Sequence, residues 1–362
     1  MASIIKRFSQ AYSHSDVPTL VGSHYFITGG TNGIGLSISR TLYSRGAHLH
    51  LFSSSDSVAD QAMDYIKTGD LKKAPEEYAA GFGGQQDLSG EGPSDKLKTG
   101  KIEWDQVDFK DLNMVATKTK ELALNLPRLD GCFLLAGIGV NEFQPTAGGC
   151  DAHLTINNLS NHVILSHLLP IMIKTSRMPD TDVRILTMSS ENHRLTFGGP
   201  SSTFGGSCFT DEEEFKKNIG PSNLYSRTKL GNILFTKAIV QRHLQDTSTL
   251  AFATHPGAVA TGQQNQFKDA YRQVLGTALK VATRPLMSRP DQGAISTLWA
   301  GMSPSLREEG KYENGSYFNE AENEGGETSE AQDQELIDNF FDLSEEVIKK
   351  VVGKEGLGTW TA

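Results

Sequence analysis

The sequence predicts an α/β fold, a doubly wound parallel sheet flanked by helices, built as one domain with loop insertions. Three observations predict it. Short apolar runs alternate with longer helical patterns along the 362 residues, the order that βαβ units impose. The first apolar run empties into a glycine-rich turn that opens a helical pattern. A later helical pattern carries Tyr225 and Lys229 four residues apart, on one helix face.

Taken in order, residues 1–20 read as an N-terminal extension without the ~7–15-residue apolar core of a secretory signal. Strands are predicted at Tyr25–Thr28, His48–Phe52, Glu103–Val107, Cys132–Ala136, Val183–Met188 and Leu250–Thr254, with a short seventh at Ser316–Phe318. Residues 81–100 (GFGGQQDLSGEGPSDKLKTG) are rich in glycine, serine and charge and read as a surface insertion. A second insertion spans 194–223, with GGPSSTFGG followed by an acidic DEEE run. The best helix is Asn223–Leu244, where Leu224, Leu230, Ile233, Leu234 and Phe235 favour one broad face and Ser222 or Asn223 would cap the start. A lid helix is expected over about 263–283, with Phe267, Tyr271, Val274, Leu275 and Leu279 on one stripe. The acidic stretch Glu320–Glu346 contains no Lys or Arg and reads as a solvated face. The domain runs over 21–351, leaving 352–362 as a tail.

Composition narrows the function. The 34 basic and 43 acidic residues give a net charge of −9, which disfavours nucleic acid as a partner. Cys132, Cys150 and Cys208 form no C-x-x-C pair, which argues against a disulfide framework and a cysteine-rich metal site and suggests a reducing, cytoplasmic setting. The most apolar stretch, Val163–Ile173, is far short of the ~18 apolar residues of a membrane span.

The turn reads Thr28-Gly29-Gly30-Thr31-Asn32-Gly33-Ile34-Gly35. Gly29 permits the sharp turn, Gly33 lets backbone approach a pyrophosphate, and Gly35 lets helix pack on strand. The phosphates would meet the amides and positive end of the helix N-terminus. This Gly-x-x-x-Gly-x-Gly spacing resembles the short-chain dehydrogenase/reductase family, which has Thr-Gly-x-x-x-Gly-Ile-Gly here. The resemblance runs from about Leu20 to about Val351. In particular it points to the retinol-dehydrogenase-like and WW-domain-oxidoreductase-like branch. There Asn-His-Leu-Gly-His-Phe is echoed by Asn157-Asn158-Leu159-Ser160-Asn161-His162, and His-Pro-Gly by His255-Pro256-Gly257.

The resemblance implies a Rossmann-type fold with dinucleotide contacts from Gly29, Asn32, Gly33, Ile34 and Gly35. It implies that Asp108 takes the adenine amino group with Phe109 beside it. Ala136-Gly137 matches the end of the family's Asn-Asn-Ala-Gly, although Leu134-Leu135 replaces both asparagines. After the sixth strand, Val259 (by backbone) and Thr261 would contact the nicotinamide carboxamide. At the end of the second strand the chain reads Leu51-Phe52-Ser53-Ser54-Ser55, with no carboxylate at Ser53 and no basic residue at Ser54. Three hydroxyls suit a 2′-phosphate, so NADP is favoured, while Asp56 keeps NAD open.

Carbonyl reduction needs an acid for the forming alkoxide, and alcohol oxidation the matching base. A free tyrosine titrates near ~10, so action near neutrality needs ~4 kcal/mol of tuning. A cation ~4 Å away at an effective dielectric of ~20 supplies that much. Tyr225 is therefore the candidate acid/base and Lys229 its tuner, which by resemblance also holds the nicotinamide ribose. Also by resemblance, Ser190 stabilises the substrate oxygen and Asn157 holds a water relay to the lysine. Asn158 and His193 receive no role.

The function expected is a ketone–alcohol or aldehyde–alcohol oxidoreductase acting on a lipophilic small molecule. The rival classes are a redox-neutral cyclase or isomerase and a cofactor-sensing protein without turnover; retention of both Tyr225 and Lys229 favours the enzyme. A homodimer is expected if the helices over 151–174 and 223–244 pair isologously through Val163, Leu168, Ile233 and Phe235, a surface broken by Asn161, His162 and His167; the long C-terminal segment lying over that face would instead leave a monomer.

Overall fold

The apolar runs become strands because each must bury both faces between helices. In the computed structural model, which describes residues 12–89, 100–195, 208–257, 259, 288–308 and 311–361, the strands are β1 (His24–Thr28), β2 (His48–Ser53), β3 (Ile102–Gln106), β4 (Gly131–Leu134), β5 (Arg184–Met188), β6 (Leu250–Thr254), β7 (Tyr317–Glu320) and β8 (Asn323–Glu324). They lie in the order β3-β2-β1-β4-β5-β6-β7-β8. The neighbours from β3 through β7 pair in parallel, and β8 turns back antiparallel on β7. The β8 hairpin was not anticipated: its two residues are too short and polar to carry an alternation signal. The second strand reaches Ser53, and the fourth stops at Leu134, two residues before the expected Ala136.

The helices are α1 (Gly33–Ser44), α2 (Ala59–Thr68), α3 (Glu76–Ala80), α4 (Leu112–Asn125), α5 (Ala152–Leu154), α6 (Ser160–Ser176), α7 (Glu213–Lys216), α8 (Pro221–His243), α9 (Pro290–Met302) and α10 (Gln334–Val352). A π-helical turn, Thr155–Leu159, joins α5 to α6. One apolar layer, with Leu36, Ile38, Leu298 and Trp299, packs α1, α2 and α9 on one sheet face. The other layer, with Val115, Val163, Ile233 and Phe340, packs α4, α6, α8 and α10 on the opposite face.

Two expectations change. Helix α8 begins at Pro221, whose fixed φ suits a first helical position, after Gly220 at φ 85°. Neither Ser222 nor Asn223 caps it; the Asn223 amide instead donates back to the Ile219 carbonyl. The proposed dimer face is the second. Val163, Leu168, Ile233 and Phe235 are all buried within the chain, where α10 lies on α8 and α6. Trp360 closes the same layer, stacking on His243 and packing edge-on against His162. Among the described residues, no helix is long and apolar enough to cross a membrane.

Candidate active site

The site gathers at the C-terminal edge of the sheet, where β1, β4, β5 and β6 end. Gly29 adopts φ 71°, and a Cβ there would lie 3.1 Å from Ala136 Cα. A Cβ on Gly35 would stand 2.2 Å from the Gly29 carbonyl oxygen, so the helix start closes directly on the turn. Between them Asn32 caps α1, its Oδ1 accepting the Gly33 N–H at 2.8 Å, and Ile34 packs into the core. Only glycine permits this closeness, and the amides of the first turn of α1 are left to face a phosphate. The cradle fits a dinucleotide.

Thr28, just before the turn, carries a function the sequence did not reveal. Its hydroxyl oxygen accepts the N–H groups of Leu135 at 2.9 Å and Ala136 at 3.0 Å. A side chain from β1 thus pins the exit of β4, the place where Leu134-Leu135 departs from the family's asparagines. Gly137 follows, and a Cβ on it would lie 3.0 Å from Asn157 Oδ1.

On the adenosine side, the longer β2 turns Ser53 inward. It is buried, and its hydroxyl accepts the Trp104 indole N–H at 2.8 Å. The rim of three available hydroxyls therefore shrinks. Ser54 is exposed with its carbonyl accepting from Gln106, and the Ser55 and Ser57 hydroxyls bond one another at 3.0 Å. Asp56 is exposed. Asp108 is also exposed and accepts the Lys110 N–H at 3.0 Å, with Phe109 buried beneath it.

Helix α8 aligns Tyr225, Thr228, Lys229 and Asn232 at i, i+3, i+4 and i+7, a single face. Lys229 Nζ donates to the Met188 carbonyl at 3.0 Å and stands 5.3 Å from the Tyr225 ring centre. Asn232 donates to the same carbonyl at 2.9 Å, a partner that continuing the period beyond Lys229 would have found. The two serines divide their work. Ser189 bonds the Lys229 carbonyl at 2.7 Å and ties β5 to α8, whereas Ser190 lies near enough to the Tyr225 hydroxyl to pull its pKa down. His193, given no role above, donates from Nδ1 to the Ser190 carbonyl at 2.6 Å.

Asn157 lies in the π turn, a distortion common at functional positions. Its Oδ1 accepts the Ile138 N–H at 2.8 Å, and its Nδ2 donates to the Ile138 carbonyl and to the Thr228 hydroxyl. Its own carbonyl accepts from Asn161 at 2.8 Å. Asn157 thus braces the β4 exit against α8. Asn158, set aside above, bonds Asn232 at 2.8 Å and so reaches the Met188 carbonyl that Lys229 shares.

Burial dominates the electrostatics. It pushes Tyr225 up to about 12, against the pull of Ser190, and pushes Lys229 down to about 8. The expected lowering of Tyr225 by Lys229 does not appear, because the ammonium sits over the ring and points at the Met188 carbonyl. Tyr225 is held as an acid, and Lys229 carries its proton at neutral pH.

A cleft of about 390 Å³, which neither Ser190 nor Tyr225 lines, is bounded by Glu191, His255, Gln292, Ser296 and Asn319 with Pro256 and Ile295. This lining is more polar than a purely lipophilic pocket. Val259 bridges to Ser288. Thr261 and the expected lid over 263–283 lie outside the described residues. Among the described residues no three side chains are placed to hold a metal ion.

No family model matches the chain. Curated relatives do. The chain is 28% identical over 348 residues to the mitochondrial bli-4 protein of Neurospora crassa, covering 94% of this chain and 75% of that one. It is 24% identical over 344 residues to the short-chain dehydrogenase/reductase drtF of Aspergillus calidoustus, covering 92% and 96%. It is 26% identical over 328 residues to human retinol dehydrogenase 14, covering 90% and 88%. Over most of its length the chain is thus similar to short-chain dehydrogenase/reductases.

Solved structures share the fold. A protein of Mycobacterium paratuberculosis superposes with TM-score 0.60 at 19% identity, covering 94% of this chain and 98% of that one. RhlG of Pseudomonas aeruginosa, solved with NADP, gives 0.55 at 13%, covering 83% and 95%. An NADH-dependent reductase solved with NAD gives 0.52 at 14%, covering 85% and 97%.

Proposed function

We propose that this chain, as a short-chain dehydrogenase/reductase, interconverts a ketone or aldehyde with the corresponding alcohol on a small molecule, using a nicotinamide dinucleotide. The observation that carries the reading is the α8 face, which presents Tyr225 to Ser190 and anchors Lys229 beneath it. When bound, the nicotinamide supplies or accepts hydride at the substrate carbon. The Gly29–Gly35 turn and the start of α1 would hold its pyrophosphate, and Val259 would meet its carboxamide.

The chain's own residues handle the oxygen. Ser190, with its carbonyl fixed by His193, positions the substrate oxygen beside the Tyr225 hydroxyl. Tyr225, kept protonated by burial, donates its proton as that oxygen gains charge, and takes one back in the oxidative direction. Lys229, anchored on the Met188 carbonyl, would hold the nicotinamide ribose one turn from Tyr225. The substrate carries a hydrogen-bonding group as well as apolar bulk, which suits the polar lining around Glu191 and His255.

Replacement of Tyr225 by Phe removes the transferable proton and little else. Turnover over a panel of carbonyl compounds, followed by loss of reduced-cofactor absorbance, is expected to fall about 10²-fold or more with cofactor affinity unchanged. Retention of more than about a tenth of wild-type turnover would remove Tyr225 from the acid/base role.

A further inference from the structure

From the contact between the glycine turn and the segment after α2, we infer that Glu77 selects the cofactor at its adenosine ribose, favouring NAD(H) over NADP(H). This rests on the dinucleotide reading above. Glu77 lies on α3, 45 positions along the chain from the turn, yet its Oε2 accepts Asn32 Nδ2 at 3.2 Å. Asn32 belongs to the turn itself, as the cap of α1. The neighbouring wall is the end of β2: Thr28 pairs in register with Phe52, and the Gly29 N–H donates to the Phe52 carbonyl at 2.8 Å. In a βαβ dinucleotide site the adenosine ribose sits over that strand end, between the turn and the residues after β2. Glu77 therefore stands at the ribose corner.

Its backbone is held there. The next residue, Tyr78, is buried, with its ring 5.2 Å from Tyr65 and 5.1 Å from Phe82. Its hydroxyl bonds Asp87 at 3.3 Å. This anchored aromatic cluster carries the exposed carboxylate to the turn without burying it.

The chemistry is a choice between two groups. A carboxylate accepts hydrogen bonds from the vicinal ribose hydroxyls of NAD, as the acid after the second strand does in dinucleotide folds. A 2′-phosphate brings ~1.5–2 negative charges to the same corner, where a carboxylate repels it. On the opposite wall, two of the serines are already engaged. Ser53 is buried against Trp104, and the Gln106 amide donates to the Ser54 carbonyl. A search for an acid at the end of β2 misses this residue because it sits on α3, the element after α2.

The test is direct titration of the full chain with NADH and NADPH, read by calorimetry, for wild type, Glu77→Gln and Glu77→Ala. Wild type is expected to bind NADH at least ~10-fold more tightly, about 1.4 kcal/mol. Both variants should shrink that ratio at least ~5-fold, mainly by tightening NADPH, with melting temperatures unchanged because the side chain is exposed. A wild-type preference for NADPH, or a ratio that neither variant moves, overturns the role of Glu77 and leaves the dinucleotide reading intact. Binding of neither nucleotide to wild type overturns both.

Discussion

Replacing Lys229 with Met should make the protein more stable while disabling it. Lys229 is only 6% exposed, and burial lowers its pKa from 10.5 to about 8. A fall of two to three units corresponds to ~3 kcal/mol of folding free energy lost to carrying a buried charge at neutral pH. The direction follows from proton counting. Between pH ~8 and ~10.5 the unfolded chain binds more protons at this lysine than the folded one, so wild-type stability from this group rises with pH across that window. Below it the full penalty is present. Methionine has a similar shape and no charge. It forfeits the hydrogen bond to the Met188 carbonyl, ~1 kcal/mol, but that carbonyl keeps its bond from Asn232 at 2.9 Å and is not orphaned. The net expectation is a gain of ~2 kcal/mol at pH 7, or ~2–3 °C in Tm for a chain of this length. The gain should fade to zero or below by pH ~10.5. Urea unfolding of both proteins at pH 7 and pH 10 measures it. A variant destabilised at pH 7, or a difference that does not shrink with pH, would refute the reasoning.

Two further outcomes follow from single contacts. Thr28→Val keeps the shape of a fully buried side chain but removes the acceptor for the Leu135 and Ala136 N–H groups. It should lose ~2–3 kcal/mol in urea titrations and weaken dinucleotide binding, since Ala136 also backs Gly29; unchanged values for both would show that the β4 exit is pinned by something else. Trp360→Ala strips the stack on His243 at 4.9 Å and the indole bond to Glu345 at 2.7 Å. It should lose ~3 kcal/mol or more and raise the solution mass above that of the wild type in light scattering, as the apolar layer over α6 and α8 opens; an unshifted mass would argue that α10 alone seals that layer.

What the sequence made legible was local. Strand cores, the glycine turn and the Tyr225–Lys229 spacing each follow from residues within a few positions of one another. Ser53 was expected at the rim, but β2 runs one residue further and holds its hydroxyl against Trp104, a contact 51 positions away. Thr28 and Glu77 were invisible for a similar reason: their partners lie 107 and 45 positions away, and nothing in a threonine or an exposed glutamate announces such a contact. Asn232 was missed with less excuse, since the helical period that linked Tyr225 to Lys229 reaches it in one more step.

The C-terminal segment shows where pattern reading stops on physical grounds. The apolar faces of α6 and α8 had to be covered, but periodicity does not say by what, and a second subunit and the chain's own last helix present the same kind of stripe. Two local features separate those outcomes once the fold is known. Gly231 on α8 makes a notch: a Cβ there would lie 2.7 Å from Phe340 of α10. Arg242, on the same helix as Gly231, meets Asp338 at 2.6 Å and also pairs with Asp342, both from the acidic face of α10. The acidic stretch read as solvated is thus half of an amphipathic helix, with Leu336, Ile337, Phe340, Phe341, Val347 and Ile348 turned inward. Its acids look outward because its aromatics take the place that a partner's helices would otherwise fill, so the notch at Gly231 and the cation at Arg242 are adaptations of α8 to its own chain.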